Sequence, residues 1–299
     1  MWAAIGNAAV VLSSSLPSHC IIYGRLSMAT LNQIQFPPDF HYTQSRLQDF
    51  VECPRRFYLA HIQQQRWPSP LAEPQSEVEQ ALDRGARFHQ MVQRHQLGMS
   101  LEVLQSSAAG DTTLETWLRR YQEIFTGLGS FERAWPEVSL STTVAGYSVL
   151  AKFDLITLRD NAVMALDWKT GRLPDPVRLG QRMQTVVYLL VLYREAARLV
   201  GRPINEMALQ YIQIPSGETR LFSADENSVT LYEAHICSVI EAIQTSDFAL
   251  TEDVTRCRFC LYRGLCGRGQ SPSVLPDEAD LEGYWGLGDF ESNPSVVEF

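Results

Sequence analysis

The stretch "LAKFDLITLRDNAVMALDWKTG", residues 150–171, decides how the chain is read. Apolar and polar residues alternate on either side of Asp160 and Asn161. That is the mark of two strands joined by a tight turn, and both turn residues tolerate positive φ. A two-residue turn there pairs Arg159 with Ala162 and, counting back, Asp154 with Asp167. Directly opposed side chains on one face of an antiparallel pair have Cβ atoms about 5 Å apart. The two carboxylates then repel unless something positive lies between them, most simply a divalent cation. Lys152 and Lys169 return to the same face by strand alternation, and Trp168 points the other way. These are the only lysines in a chain whose 25 basic residues are otherwise all arginine. Lysine is a compact point charge on a flexible stem, whereas the arginine fork prefers bidentate pairing. Keeping lysine beside two carboxylates suits a site where a single charge must meet a phosphoryl oxygen or a bound water.

Working outward, the pattern is helical before this hairpin and helical again after it. In "TQSRLQDFVECPRRFYLAHI", Thr43 or Ser45 caps a helix with Leu47, Phe50 and Val51 on one face, and Pro54 restarts a second helix carrying Phe57, Tyr58 and Ala60. Cys53 lies at that joint. "WPSPLAEPQ" is a proline-rich connector, and "SEVEQALDRGARFHQMVQRH" is the next helix, on which Gly85 and His89 share a face. "TTLETWLRRYQEIF" is a further amphipathic helix. From about Trp135 the period becomes two, with Glu137 opening the strand region. A long helix, "RLGQRMQTVVYLLVLYREAARLV", follows the hairpin and carries Gln184 and Tyr188 four residues apart. A strand, "MALQYIQI", and a last helix, "VTLYEAHICSVIEAIQTS", complete a mixed α/β pattern without internal repeats.

Six cysteines are unevenly spread. Cys257, Cys260 and Cys266 form a C-x2-C-x5-C cluster, whereas Cys20 and Cys237 stand apart. Close thiols without a secretion signal read as metal ligands rather than disulfides. Three thiolates fall one short of the four that zinc or an iron–sulfur cluster takes, and Cys53 is the natural fourth. The spacing alone does not separate the two.

The net charge is −9, yet after Arg268 there is no basic residue and seven acidic ones, so the rest of the chain carries only −2. A nearly neutral body can hold a basic groove, and the acidic overall balance does not exclude a nucleic-acid partner. The expected organisation is a flexible leader over 1–40, a domain over 41–270 and a disordered acidic tail over 271–299, whose Tyr284, Trp285 and Phe290 leave room for a protein partner. Met28 is a second possible start. No apolar run approaches the roughly 18 residues of a membrane helix, and no basic n-region precedes Arg25. The chain is expected to be cytoplasmic.

The order His89, Glu137, Asp154, D-x-K at 167–169 and Q-x3-Y at 184–188, with the four cysteines, resembles the PD-(D/E)-x-K nuclease superfamily. It is most similar to the RecB-like branch with an iron–sulfur cluster, which includes the CRISPR-adaptation nucleases and the AddB nuclease domain. The resemblance covers residues 45–266. It implies a restriction-endonuclease-like mixed central sheet flanked by helices. It also implies Mg²⁺ or Mn²⁺ on His89, Asp154, Asp167 and the Trp168 backbone carbonyl, with Lys169 catalytic and Gln184 and Tyr188 contacting or orienting DNA. A [4Fe–4S] cluster on Cys53, Cys257, Cys260 and Cys266 would tie the two ends of the domain together. Ala151 stands where the family usually has glycine, and Asp167 where it often has glutamate. The activity so implied is a metal-dependent exonuclease on DNA ends or single strands. The competing readings are a catalytically silent DNA-binding or scaffold module with a structural iron–sulfur or zinc site, and an iron–sulfur electron carrier. Base-independent DNA contacts are expected from Arg55, Arg56, Arg84 and Arg87.

Overall fold

The computed structural model describes residues 36, 40–65, 77–257 and 260–269. Most of the leader, Cys20, the acidic tail and the whole of the proline-rich connector over 67–75 lie outside these residues. A six-stranded mixed sheet runs in the order β1 (Tyr42–Thr43), β3 (Tyr147–Arg159), β4 (Ala162–Lys169), β5 (Glu206–Gln213), β6 (Thr219–Ser223), with β2 (Arg133–Val144) paired to β3. β3 is antiparallel to both β2 and β4, whereas β1 joins β3 and β5 joins β4 in parallel. β6 closes the far edge antiparallel to β5.

Helices cover both faces. One core lies between the sheet and α1 (Gln44–Glu52), α7 (Met183–Val200) and α8 (Glu226–Gln244), and contains Leu47, Ile156, Val163, Ala165, Val187 and Ile240. The other lies beneath α3 (Glu77–Gln96), α4 (Leu101–Ser107) and α5 (Thr112–Gly127), and contains Phe88, Leu118, Tyr121, Met164, Leu166 and Trp168. β4 therefore sends alternate side chains into two cores, and its burial on both sides fits a central strand. Trp168 is fully buried, edge-on to Tyr121 with ring centroids 5.2 Å apart. Burying a side chain of that size contributes roughly 2–3 kcal/mol, which anchors the strand end that carries the D-x-K residues. This is the fold expected from the sequence, a mixed sheet flanked by helices.

Several local readings change. Thr43 is the cap of α1, its hydroxyl accepting from the Arg46 N–H, but Val51 points to solvent instead of into the core. α2 (Pro54–Phe57) does begin at Pro54 and runs into a π-helical turn, Tyr58–Ile62. The expected long helix over 178–200 is two helices, α6 (Pro176–Gln181) and α7. They part at Arg182, whose ψ of 143° is extended backbone. Asp175 caps α6 through the N–H groups of Val177 and Arg178. α4 and β6 have no counterpart in the sequence reading. Among the described residues no helix is long and apolar enough to cross a membrane.

Candidate active site

The β3–β4 hairpin has the expected turn, with Arg159 paired to Ala162 and Asp160 at φ +54°. The ladder stops at Leu155–Leu166, however, one step before the two aspartates. On this edge of β3 the next strand partner is β1, which pairs only Val149 and Leu150. Residues 151–154 therefore lie in a fork between β4 and β1, where the backbone must find other partners. The Tyr188 hydroxyl donates to the Lys152 carbonyl, and the Asp154 carboxylate accepts the Trp168 N–H at 2.9 Å. The expected face-to-face pairing of Asp154 with Asp167 is thus replaced by a side chain of one strand capping the backbone of the other.

The remaining candidates converge on this fork. His89 on α3 places Nδ1 3.4 Å from Asp154 Oδ2. Lys169 Nζ lies 2.8 Å from Asp167 Oδ2, and Gln184 Nε2 donates to Asp167 Oδ1 at 2.8 Å. Gly85, one turn before His89, allows the close approach of α3 to the strand end: a Cβ there would stand 3.2 Å from Thr170 Oγ1. Tyr188 is only 2% exposed and its hydroxyl is engaged with Lys152 and with Gln44 Nε2 at 3.4 Å. Its direct partner is the protein's own backbone. Gln184 likewise bonds a carboxylate. Lys152 pairs with Glu137 at 2.6 Å, and Glu137 sits at φ +51°, a strained value for a non-glycine residue. The Glu137–Lys152 pair and the backbone strain at Glu137 are features that sequence patterning only hinted at.

Electrostatics follow from this crowding. Burial pushes the Asp167 carboxyl up to about 7, and Asp154 adds to the rise although Lys169 opposes it. Burial also opposes ionisation of Asp154, but His89 and then Lys169 hold its carboxyl below the usual range. The His89 imidazole resists charging through burial, and Asp154 nevertheless raises its pKa. Burial and the charge of Asp154 raise Glu137 as well.

The four cysteines also come together. Cys53, Cys257, Cys260 and Cys266 line one pocket with Arg56, Tyr262 and Arg268. The Arg268 guanidinium donates to Cys257 Sγ at 3.4 Å. Burial lifts the Cys260 thiol to about 11 while Arg56 pulls it down, and burial and neighbouring thiols raise Cys266. The C-terminal segment is pinned to α1 by Arg256 Nη1, which donates to the carbonyls of Val51 and Glu52 at 3.0 and 2.8 Å. Arg56 cannot serve DNA as expected. Its guanidinium is largely buried, paired with Asp49 at 2.7 Å and with Glu52. Arg84 and Arg87 both lie against Asp111, at 3.1 and 3.7 Å.

The sequence matches the family model of the PD-(D/E)XK nuclease superfamily over residues 41–267. The chain belongs to that superfamily. No curated protein matches it. Among solved structures, the crystal structure of SSO0001 is 16% identical, with 64% of this chain and 85% of that one covered and a TM-score of 0.33. A protein described as an exonuclease candidate from Eubacterium rectale is 12% identical, with 81% and 92% covered and a TM-score of 0.45. At those values neither likeness adds to the family match.

PD-(D/E)XK nucleases typically use divalent cations such as Mg²⁺ or Mn²⁺. Among the described residues no three His, Cys, Asp or Glu side chains stand as a ready metal cage. The donor set nevertheless fits a hard cation. Two carboxylates and an imidazole can be joined by water, and burial, with a smaller push from Asp154, disfavours a bare charge on Asp167 that a cation would balance. The consequence is measurable. With folded Asp167 and His89 both raised, their protons are held more tightly in the folded than in the unfolded chain, so stability falls as pH rises through their folded values. A cation must displace those protons. The rise in Tm on adding Mn²⁺ is therefore expected to be larger at about pH 8 than at about pH 6. A pH-independent rise would show that neither group is displaced.

Proposed function

We propose that this chain is a metal-dependent DNA nuclease of the RecB-like branch, an exonuclease acting on ends or single strands. It would work in the cytoplasm, in repair, recombination or CRISPR adaptation. The observation that carries this reading is the fork where β3 parts from β4, at which His89, Asp154, Asp167, Lys169 and Gln184 meet although they come from four elements, α3, β3, β4 and α7.

In this reading His89, Asp154, Asp167 and the Trp168 carbonyl hold Mg²⁺ or Mn²⁺. The cation would polarise the scissile phosphoryl group and acidify a water. Gln184 fixes the rotamer of Asp167 by binding Oδ1, which leaves Oδ2 toward Lys169. Lys169, held 2.8 Å from that partner, supplies a compact charge at the phosphate. Asp154 holds the Trp168 peptide in place while presenting its carboxylate to the site. Exposed arginines add affinity for the phosphate backbone that does not depend on sequence. Cys53, Cys257, Cys260 and Cys266 hold a [4Fe–4S] cluster with a structural role, and the acidic tail docks a protein partner.

The test is a cleavage assay on end-labelled single and double strands with Mn²⁺ or Mg²⁺ and with chelator. Metal-dependent shortening from the ends is the expected result. DNA binding without cleavage in either metal would instead favour the silent scaffold.

A further inference from the structure

α7 begins abruptly. Arg182, at its cap position, makes no capping hydrogen bond through its side chain, and a helix start leaves N–H groups in need of acceptors. The missing acceptor comes from another helix: the Met183 N–H donates to Oε1 of Gln48 on α1 at 3.0 Å. The next residue of α7 is Gln184, whose amide holds Asp167. The other end of the Gln48 amide is also engaged. Its Nε2 donates to Glu52 Oε1 at 2.9 Å, and the second oxygen of Glu52 holds Arg56. Arg56 and Cys260 line the same pocket, and the Glu52 carbonyl receives Arg256 from the cysteine-bearing segment.

From this chain of contacts we propose that Gln48 is a positioning residue of the metal site, setting the start of α7 so that Gln184 meets Asp167. It thereby ties the site to the cysteine module. The proposal rests on the nuclease reading above. Gln48 touches no candidate ligand; it acts through the N-terminal turn of α7. Outer partners of metal ligands typically change affinity 10–100-fold when removed, and a partner one step further out belongs at the low end.

The experiment measures Mn²⁺ binding by calorimetry on full-length protein with its cysteine cofactor content assayed in parallel. Gln48→Ala is expected to bind Mn²⁺ about 10-fold more weakly with unchanged cofactor content. Gln48→Glu combined with Glu52→Gln, which keeps an acceptor for the Met183 N–H and a donor–acceptor pair between positions 48 and 52, should bind like wild type. Because the effect passes through Gln184, Gln48→Ala should weaken binding no further in a Gln184→Ala background. Wild-type affinity in Gln48→Ala, or losses that add in the double variant, would overturn the proposal alone. A tenfold loss in the paired variant Gln48→Glu with Glu52→Gln would do so as well, and it remains decisive even if Gln48→Ala fails to fold. Wild-type protein that binds no Mn²⁺ would remove the metal-site reading and this inference with it.

Discussion

An Asp154→Asn variant is expected to lose cleavage by about a thousandfold or more, roughly 4 kcal/mol of transition-state stabilisation, while keeping its fold. The substitution removes the anionic ligand but leaves an oxygen to accept the Trp168 N–H. Asp154→Ala should be equally inactive and also less stable. It strands that N–H beside a fully buried tryptophan, and an unpaired buried donor costs about 1–3 kcal/mol. The bond to Trp168 therefore couples Asp154 to the stability of the fold as well as to the site. Steady-state cleavage of end-labelled DNA and thermal melts on the same preparations separate the two effects. Cleavage at the wild-type rate by Asp154→Asn would mean that the site is elsewhere.

The second large effect is expected at Cys53. On the proposed cluster reading, Cys53→Ala should release the cofactor and lower the unfolding temperature together, because Cys53 alone of the four thiols in that pocket comes from the other end of the domain. Closing the 204 residues from Cys53 to Cys257 removes on the order of 5 kcal/mol of unfolded-state freedom in the chain-entropy picture. That corresponds to about 10–20 °C in a domain of this size. The Arg256 bonds to Val51 and Glu52 and the Tyr262 hydroxyl on the Gln65 carbonyl hold part of this closure without thiolates, so the observed loss should fall toward the lower figure. Anaerobically purified wild type should be brown, as thiolate-bound iron–sulfur centres are, and Cys53→Ala colourless. Colourless wild type with stoichiometric zinc, or a Cys53→Ala variant that retains iron, would exclude the cluster.

The hairpin was legible because two independent signals, a period of two and a tight turn, agree over a short local stretch. Its end was not. Where a ladder stops depends on what lies on the other edge of β3, and the two-residue strand β1 is too short to leave a pattern. The gathering of His89 with Asp154 could be named only through the family resemblance, since residues 89 and 154 belong to elements with no local relation. The break at Arg182 was invisible for a related reason: apolar periodicity continues straight through it, and the acceptor that receives the Met183 N–H there, Gln48, lies 135 positions away. Arg56 was misread because arginines are solvent-exposed by default, and only the fold supplies the Asp49 and Glu52 that bury it. Gln48 itself looks like any polar residue on an amphipathic helix.

The joining of α1 to the C-terminal segment also sets a timetable. A chain is made from its N-terminus at about 5–20 residues per second, so Cys53 emerges some 10–40 seconds before Cys257, 204 positions later. In the second half of that interval the hairpin can form from contacts already synthesised, whereas the pocket of four thiols still has only one wall. The ribosome must deliver Arg256 before α1 acquires its last partner. Any group held there can be loaded only as synthesis of the domain finishes, which makes assembly of that end a late, separate step in the life of the protein.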